Sequence, residues 1–513
     1  MRRFCFAALW VPPATFAGLF LLRLRLGEAD LFHGLANRMP SGQSVTKLWL
    51  GHATWAALAL LGPAIAFGRA LPSAIAAVAT KRPPQEREFV LGTLYGANTL
   101  GSLLGALAAG FVLVPKLGPR TALGLVMLLP LLAALLASAH RMAKQAGALF
   151  LLGLLTAFLS LRPVPSEAKK LTLAHGPHAT VSVEESEASG ELVRALRVNG
   201  KVVATSGAVD LRLQRLLAAI PAQLHANVQS ALVIGMGTGM TAGALLAVPS
   251  LKSLEVVEIS AVVPEAGARP FAAWNGELLD DPRTQVTHAD GRHYLARSKQ
   301  RYDLVTSDPI HPWTAGSSDL YCVEHFASMR EHMAEGGIAS QWLPLYQLSD
   351  EDVRTVVASW TAAFPQTSAW LTAYDLVLVG SEVPQGGPDT IAGRPLPPRM
   401  KNELAQAGIH SAQDMAVLFA ANDVDLRAFA QGTSPMRDDR PVLEFRAPFS
   451  FLAGYSQAAL LWAAREEVLF QLPEDLRPKA RQIRKLLRDF LEDLPQGWSQ
   501  AASVYGAALL EEF

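Results

Sequence analysis

Long runs of uncharged, apolar residues dominate the first third of the chain. Five such runs, separated by short polar segments, cover residues 4–22, 48–68, 89–115, 121–139 and 146–161. A helix needs about 20 apolar residues to cross the hydrocarbon core of a bilayer. The pattern therefore predicts an α-helical transmembrane domain of four to five helices over residues 1–164. Buried helices of a soluble core are the alternative, but five runs with so few acidic residues favour the membrane.

A β-strand pattern replaces the apolar runs after about residue 165. Apolar and polar residues alternate over 180–184 and again over 193–203, where Asn199-Gly200 interrupts the second run. Asn-Gly between two alternating runs is a strong signal for a tight hairpin. The sequence therefore predicts a small β-hairpin domain over residues 165–210.

A pattern of alternating strands and helices follows over residues 211–385. It begins with helical spacing at 211–224. Five apolar segments with helical stretches between them come next, at residues 230–234, 253–257, 284–288, 302–307 and 338–342. This alternation predicts an α/β, Rossmann-like, doubly wound parallel sheet that forms a nucleotide-binding catalytic domain. Residues 386–513 are predicted to be a C-terminal helical region, with amphipathic spacing at 458–470 and 478–494.

The charge distribution supports a membrane segment followed by a soluble one. The chain has 45 Lys and Arg and 45 Asp and Glu residues, so its formal net charge is zero. Residues 1–162 nevertheless hold 15 basic and 4 acidic residues, while the rest holds 30 and 41. This split predicts the lipid bilayer as a partner and argues against nucleic acid, which needs a basic soluble face. Arg162, Lys169 and Lys170 follow the last run and favour a cytoplasmic exit. We therefore expect a multi-pass protein of the cell inner membrane whose soluble domain is cytoplasmic.

The turn after the first strand of the α/β region is rich in glycine. Residues 235–240 read Gly-Met-Gly-Thr-Gly-Met, and a helical stretch follows. Glycines let the backbone approach a ligand, and the start of a helix offers free N–H groups. Gly235, Gly237, Thr238 and Gly239 are therefore predicted to bind the cofactor. Nicotinamide and sulfonium nucleoside enzymes both use such a turn, so the turn alone does not identify the ligand.

Acidic residues stand at the ends of three successive strands: Glu258, Asp290 and Asp308. Parallel sheets place ligand-binding residues at the carboxyl ends of their strands. Three carboxylates suit a nucleoside with a cationic sulfonium, as in the S-adenosylmethionine methyltransferase type of sheet. One acid would bind the ribose, one would lie near the adenine, and one would lie at the reacting centre. The alternative is that these acids only cap turns.

These motifs resemble those of the spermidine synthase (polyamine aminopropyltransferase) family in its membrane-fused bacterial form. The similarity covers residues 171–380, with a membrane-segment motif at 94–105 and a C-terminal motif at 438–444. The motifs that carry it are V-I-G-M-G-T-G at 233–239, V-E-I-S at 257–260, D-G-R at 290–292 and Y-D-L-V-T-S-D-P-I-H-P-W-T-A-G at 302–316.

The resemblance implies a set of substrates and a role for each acid. The donor co-substrate would be decarboxylated S-adenosylmethionine, the by-product 5′-methylthioadenosine and the acceptor a small-molecule amine, with no metal. Glu258 would hold the ribose, Asp290 and Gly291 would lie on the adenine side, and Asp308 would accept the proton. The segment 309–318 would form the loop that covers the site and excludes water.

The sequence departs from the family at positions that matter for substrate choice. Thr238 stands where the family has an aspartate that binds the donor's aminopropyl ammonium. Threonine removes that attraction, and it also removes the repulsion of the carboxylate of intact S-adenosylmethionine. On the acceptor side only Gln214 survives of a Tyr-His/Gln-Glu pattern, and Arg215 beside it would repel a polycation if it faced the pocket. His311 replaces a second aspartate after the fourth strand and is an alternative catalytic base.

Three functions therefore stay open at the level of sequence. The first is a membrane-anchored aminopropyltransferase that acts on an amine. The second is an S-adenosylmethionine-dependent methyltransferase on the same scaffold, which Thr238 permits. The third is a non-catalytic membrane sensor or carrier of a nucleoside. The sequence leaves the acceptor amine undecided, and it leaves open whether the chain forms a homo-oligomer.

Overall fold

A computed structural model describes residues 45–79, 82–137, 168–188, 191–314, 316–450, 456–493 and 508. The chain divides into two units. One unit comprises residues 1–167 together with 174–179. The other comprises residues 168–173 and 180–513.

Long helices make up most of the described part of the first unit. They are α1 (Val45–Ala79), α2 (Pro84–Ala108), a π-helical turn (Ala109–Leu113) and α3 (Val114–Ala137). Proline suits the first position of α2 because its fixed φ is helical and its missing N–H would have no helical partner there. Gly118, with φ +77°, kinks the backbone inside α3. Among the described residues, one helix, Pro84–Pro119, is long and apolar enough to cross a bilayer.

This helix covers only part of the predicted membrane domain. The apolar runs at 48–68, 89–115 and 121–139 fall mainly within the described helices. The runs at 4–22 and 146–161 lie outside the described residues. A bundle of four to five spanning helices over residues 1–164 therefore stays a prediction.

Four strands in sequential order form the small β domain that the alternating pattern predicts. They are β1 (Lys169–His175), β2 (Thr180–Ala188), β3 (Glu191–Val198) and β4 (Lys201–Thr205). Strands β2, β3 and β4 pair antiparallel. Asn199 and Gly200, at φ +52° and +86°, both adopt the left-handed conformation that a two-residue hairpin turn requires.

An eight-stranded sheet forms the centre of the second unit. Its strands are β5 (Ser230–Ile234), β6 (Ser253–Glu258), β7 (Thr284–His288), β8 (Tyr302–Ser307), β9 (Met333–Pro344), β10 (Gln366–Leu371), β11 (Asp375–Ser381) and β12 (Phe419–Ala421). Their spatial order is β7-β6-β5-β8-β9-β11-β10-β12. Strands β5 to β9 pair in parallel. The chain order reverses at β5, between β6 and β8, and such a switch point opens a ligand crevice at the carboxyl ends of the strands.

The sheet is mixed, whereas the sequence pattern predicts a parallel one. Strand β11 pairs antiparallel with both β9 and β10. Only residues 372–374 separate β10 from β11, which is too short for the crossover that parallel pairing requires. Strand β12, from the region predicted to be helical, pairs antiparallel with β10 and extends the sheet.

Helices pack around the sheet and continue after it. Those up to β10 are α4 (Ala208–Leu224), α5 (Met240–Leu245), α6 (Ala272–Asn275), α7 (Gly291–Arg297), α8 (Val323–Glu331) and α9 (Asp350–Ala363). Those after β11 are α10 (Pro388–Ala392), α11 (Pro398–Ala405), α12 (Ala412–Ala416), α13 (Asp423–Ala430), α14 (Val442–Ser450), α15 (Gln457–Ala463) and α16 (Arg477–Asp493). The predicted helix at 478–494 corresponds to α16. The predicted helix at 458–470 is instead split into α15 and the 3₁₀ turn Glu466–Gln471.

Candidate functional site

The glycine turn lies between the ends of β5, β6 and β8. The N–H of Gly235 donates to the carbonyl of Val257 at 2.9 Å. Gly235 has φ +89°, and a Cβ atom there would lie 2.5 Å from the carbonyl oxygen of Asp308. Gly237 and Gly239 also have positive φ, at +51° and +76°. Only glycine therefore allows this turn to approach the end of β8 so closely.

Glu258 ends strand β6 directly beside this turn. The side chain is buried, and its Oε2 and Oε1 accept hydrogen bonds from the N–H groups of Met236 at 3.0 Å and Ser260 at 2.8 Å. Burial raises the pKa of Glu258 above the usual carboxyl range, although these N–H groups and that of Gly237 favour the ionised form. The structure thus places the residue predicted to bind ribose against the turn predicted to bind the cofactor.

Asp290 and Gly291 lie at the end of β7, at the start of α7. Asp290 caps this helix, because its Oδ1 accepts from the N–H of His293 at 2.9 Å. A Cβ atom on Gly291 would lie 2.5 Å from Cγ2 of Ile234, at the end of β5. One carboxylate oxygen of Asp290 therefore caps a helix, as the turn-capping alternative predicts. Its predicted place on the adenine side stays a prediction.

Asp308 follows β8 and is partly exposed at the switch point. Its Oδ2 accepts a hydrogen bond from the hydroxyl of Thr241, in α5, at 2.6 Å. The N–H of Asp308 donates to the carbonyl of Ile234, which fixes the backbone against β5. Burial raises the pKa of Asp308 to about 6, and the Thr241 hydroxyl partly offsets this effect. A carboxylate with that pKa is ionised at neutral pH and still basic enough to take a proton.

His311 lies in a cluster of aromatic rings on the loop that follows Asp308. It is 5% exposed, and its Nε2 lies 3.2 Å from the hydroxyl of Tyr346. Its ring centroid is 4.6 Å from that of Trp313 and 5.2 Å from that of Trp342. The ammonium of Lys201, in β4, lies 4.3 Å from the Trp313 ring centroid, so the small β domain contacts this loop. These contacts make His311 part of the wall of the site, and its role as a base stays a prediction.

The sequence assigns Thr238 to the donor and Gln214 to the acceptor, but the structure brings the two side chains together. The hydroxyl of Thr238 donates to Oε1 of Gln214 at 2.5 Å, and both side chains are buried. The amide of Asn275 donates to the carbonyl of Thr238 at 2.9 Å and supports the turn. One hydrogen-bonded pair therefore occupies the place where the resemblance implies two separate anchors.

Arg215 would repel cations if it faced the pocket, but its guanidinium is bound elsewhere. Its guanidinium donates to the carbonyl of Glu403, in α11, and to Oε1 of Gln406 at 3.0 Å. A further contact reaches the carbonyl of Trp274. Acceptors from the C-terminal region thus bind this guanidinium, and the sequence alone could not reveal these contacts.

A carboxylate that the sequence analysis missed lies near Asp308. Asp375, the first residue of β11, is 3% exposed, and its Oδ1 accepts from Nε1 of Trp342 at 2.8 Å. Burial raises its pKa to about 8, and the charges of Asp210 and Asp308 add to this rise. Because β11 runs antiparallel to β9, its first residue lies at the edge where the parallel strands end. A search restricted to the ends of parallel strands therefore could not find it.

Two more polar residues line the same region. Asp210, in α4, accepts from the N–H of Thr205 at 2.9 Å and from its hydroxyl at 2.6 Å. Tyr321 is fully buried, and burial together with the charges of Asp308 and Asp375 raises the pKa of its hydroxyl. The charges of Asp210 and Asp308 both reach Asp375 and favour its protonated form, so these three acids do not all carry charge at neutral pH.

Among the described residues, one group of side chains has the geometry of a metal site. It consists of Cys322, Glu324 and Asp438, whose ligand atoms lie within 4.8 Å of one another. The guanidinium of Arg292 already binds Asp438, and the thiol of Cys322 donates to Asp438 at 2.9 Å. A bound cation would have to displace this arginine, so the group fits an ion-pair cluster better than a metal centre.

Comparison with known proteins shows what the α/β domain is similar to. Residues 210–374 match the model of the spermine/spermidine synthase domain. A polyamine aminopropyltransferase of Thermotoga petrophila is 28% identical over 131 residues, which is 26% of this chain and 44% of that protein. One from Streptococcus pneumoniae is 26% identical over 209 residues, 40% of this chain and 70% of that protein. This chain thus spans under half the length of the first relative.

A solved spermidine synthase in complex with the transition state analogue AdoDATO is 20% identical, with a TM-score of 0.38, over 44% of this chain and 78% of that one. The sequence matches confirm the predicted resemblance: the α/β domain is spermidine synthase-like. The family model matches residues 210–374, so the fusion of this domain to a membrane segment at residues 1–164 remains a prediction.

Proposed function

We propose that the protein is an aminopropyltransferase, which moves the aminopropyl group of decarboxylated S-adenosylmethionine to an amine. The observation that carries the proposal is Asp308, at the switch point of the sheet, hydrogen-bonded to Thr241 and with a pKa of about 6. The names of the relatives, polyamine aminopropyltransferases, support the same reaction.

The donor's nucleoside would occupy the crevice beside the glycine turn. Glu258 lies against this turn, and its carboxylate is of the kind that binds the two hydroxyls of a ribose. Gly235 and Gly291 let the strand ends around this crevice pack closely, because a Cβ atom at either position would collide with Asp308 or Ile234. Asp290, at the end of the next strand, would lie on the adenine side.

The acceptor would be held by negative charge near Asp308. An alkylamine with a pKa of about 10.4 arrives protonated at neutral pH. Asp308, with its pKa of about 6, is ionised at neutral pH and would attract it. Asp375, whose raised pKa of about 8 leaves it mostly protonated, would add a hydrogen-bonding group and no charge. Arg215 would not oppose this binding, since its guanidinium contacts α11 instead.

The chemical step would be a direct displacement. The proton of the attacking ammonium passes to the carboxylate of Asp308, and the freed nitrogen lone pair attacks the aminopropyl carbon bonded to the sulfonium. The carbon–sulfur bond breaks, and its electron pair returns to sulfur. The products are the aminopropylated amine and neutral 5′-methylthioadenosine. The ionised carboxylate of Asp308 favours the cationic reactants and supplies the base.

The nucleoside by-product tests this function directly. The full chain is incubated with a diamine and either decarboxylated or intact S-adenosylmethionine, and the nucleosides are identified by mass spectrometry. The proposal predicts 5′-methylthioadenosine, with transfer of the aminopropyl group from the decarboxylated donor. S-adenosylhomocysteine from the intact donor would instead establish methyl transfer, which Thr238 permits. Binding of either nucleoside with no transfer would favour a sensor.

We also propose that residues 1–164 anchor the enzyme in the inner membrane, with the catalytic domain in the cytoplasm. The support is the apolar pattern and the helix Pro84–Pro119.

A further inference from the structure

A carboxylate from the C-terminal region contacts the loop that follows Asp308. Glu444, in the first turn of α14, accepts hydrogen bonds from the N–H of Gly316 at 3.3 Å through Oε1 and at 3.2 Å through Oε2. Its Oε2 also accepts from the hydroxyl of Ser318 at 2.8 Å. A side chain 126 residues further along the sequence therefore fixes the end of the loop beside the proposed base.

The segment that carries Glu444, residues 436–450, is called the C-terminal strap here. Its beginning is tied to α8 and α9. Met436 accepts from the N–H of Val323 at 3.0 Å and donates its own N–H to the hydroxyl of Ser359 at 2.8 Å. The N–H of Asp438 donates to Glu324 at 3.1 Å. The carboxylate of Asp438 binds Arg292, which adjoins the Asp290-Gly291 motif.

The end of the strap is tied to α9 by a buried acid. Arg446 donates to Oδ1 of Asp352 at 2.8 Å and to the hydroxyl of Thr355 at 2.9 Å. Ser450 donates to Oδ2 of Asp352 at 2.6 Å, and Asp352 is 0% exposed. Because both ends are anchored, the position of Glu444 between them is defined by the rigid part of the fold.

The loop transmits this position toward the site. Ser317 lies between the two residues that Glu444 holds, and its hydroxyl lies 2.6 Å from the carbonyls of both His311 and Thr314. The N–H of Thr314 donates to the carbonyl of His311 at 3.0 Å. His311 in turn packs among the aromatic rings next to Asp308. Glu444 thus acts on the wall of the site through the backbone of residues 316–318.

We propose that Glu444 is a positioning residue for the transfer reaction, and that the C-terminal strap orders the loop after Asp308 in its productive arrangement. This inference rests on the proposed function, because it assigns a role in the same site. Small displacements of groups that orient a substrate lower turnover more than they lower binding. Nucleoside binding depends mainly on the glycine turn and Glu258, and among the described residues no hydrogen bond or ion pair joins Glu444 to either.

The test compares Glu444→Ala, Glu444→Gln and the control Asp439→Ala in the full chain. Asp439 is an exposed acid of the same strap whose side chain makes no hydrogen bond or ion pair among the described residues. Hydrogen exchange is measured without any ligand, over residues 309–318 and over residues 233–241 of the glycine turn. We expect Glu444→Ala to raise exchange in the loop at least about tenfold and to leave the glycine turn unchanged, because each lost hydrogen bond to a carboxylate is a strong one.

Steady-state kinetics supply the second readout. Glu444→Ala should lower kcat about tenfold while KM for the donor changes less than about twofold. Glu444→Gln keeps an acceptor oxygen and should recover most of both losses, and Asp439→Ala should match the wild type. Unchanged loop exchange in Glu444→Ala would overturn the proposal. So would a loss of kcat that follows a general loss of thermal stability and that glutamine does not rescue. If the wild type transfers no aminopropyl group while loop exchange still rises in Glu444→Ala, the strap still orders the loop but the proposed function is wrong.

Discussion

Replacing Asp308 with asparagine removes the proposed base with little change in shape. The hydroxyl of Thr241, now 2.6 Å from Oδ2, can donate to the amide oxygen of asparagine instead. The backbone contact of residue 308 with Ile234 does not depend on the side chain. The variant should therefore fold normally and bind nucleoside nearly as well as the wild type, since Glu258 and the glycine turn are untouched.

The expected loss follows from the acid–base chemistry of the two partners. With a pKa of about 6, Asp308 is roughly nine-tenths ionised at pH 7. Without it, the reaction must wait for an amine that has already lost its proton to water. For an amine with a pKa of about 10.4, that is roughly one molecule in 2,500 at pH 7. Turnover should therefore fall about 10²–10⁴-fold, the usual contribution of a positioned base.

The pH dependence separates loss of a base from a general defect. In the wild type, kcat/KM should rise with pH up to about 6, because the protonated Asp308 can neither attract the ammonium nor accept its proton, and then level off. In Asp308→Asn this limb should disappear, and the rate should instead rise about tenfold per pH unit as free amine accumulates.

The assay is initial-rate kinetics between pH 5 and 9, with nucleoside affinity measured separately. Asp303→Asn is the matched control, because Asp303 lies on the same strand but at its opposite end, where it accepts from the N–H groups of Gln229 and Ser230. This control should keep the limb near pH 6. Near-normal turnover in Asp308→Asn, or the same pH profile as the wild type, would refute the assignment and leave His311 as the candidate base.

Three further predictions follow from the same geometry. Asp375→Asn should flatten the pH dependence of Tm: the raised pKa of about 8 means that Asp375 stabilises the fold fully below about pH 4, and this contribution is lost as pH rises to about 8. An equal fall of Tm over this range in both proteins would contradict it. Thr238→Asp should shift the donor affinity ratio about ten- to a hundredfold toward decarboxylated S-adenosylmethionine, and an unchanged ratio would show that residue 238 does not face the donor's tail. Full-length protein should sediment with membranes, whereas a chain starting at residue 165 should stay in solution; recovery of the intact chain in the soluble fraction would reject the anchor.

Much of the fold could be predicted because its signals are local. Strands β5, β6 and β8 are short, largely apolar runs that end at or next to a glycine or an acid, and Asn199-Gly200 specifies its hairpin through two left-handed residues. The antiparallel strands β11 and β12 could not be predicted in the same way. Their direction depends on which distant strand they join, and a run of residues such as Asp375–Ser381 reads the same in either direction.

In the candidate site, too, residues with local sequence signals could be predicted and residues placed by tertiary packing could not. Glu258 and Asp308 could be predicted because each follows a strand whose carboxyl end must lie at the crevice. Thr241 and Asp375 come from other elements and reach Asp308 only through tertiary packing. Arg215 shows the converse: its place on α4 suggests contact with the pocket, but two of its partners lie 188 and 191 residues away in the sequence, at Glu403 and Gln406.

Transfer of a labelled aminopropyl group tests the central claim most directly. The purified full chain is incubated with a diamine and with decarboxylated S-adenosylmethionine that carries ¹³C in its aminopropyl chain. The amine products are separated, and their masses are measured by mass spectrometry. We predict a labelled, aminopropylated amine formed in equal amount to 5′-methylthioadenosine by the wild type, and at least a hundredfold less by Asp308→Asn at pH 7, in line with the loss of a positioned base, roughly 10²–10⁴-fold. If the label stays entirely on the nucleoside with every diamine and polyamine tested, the account is contradicted.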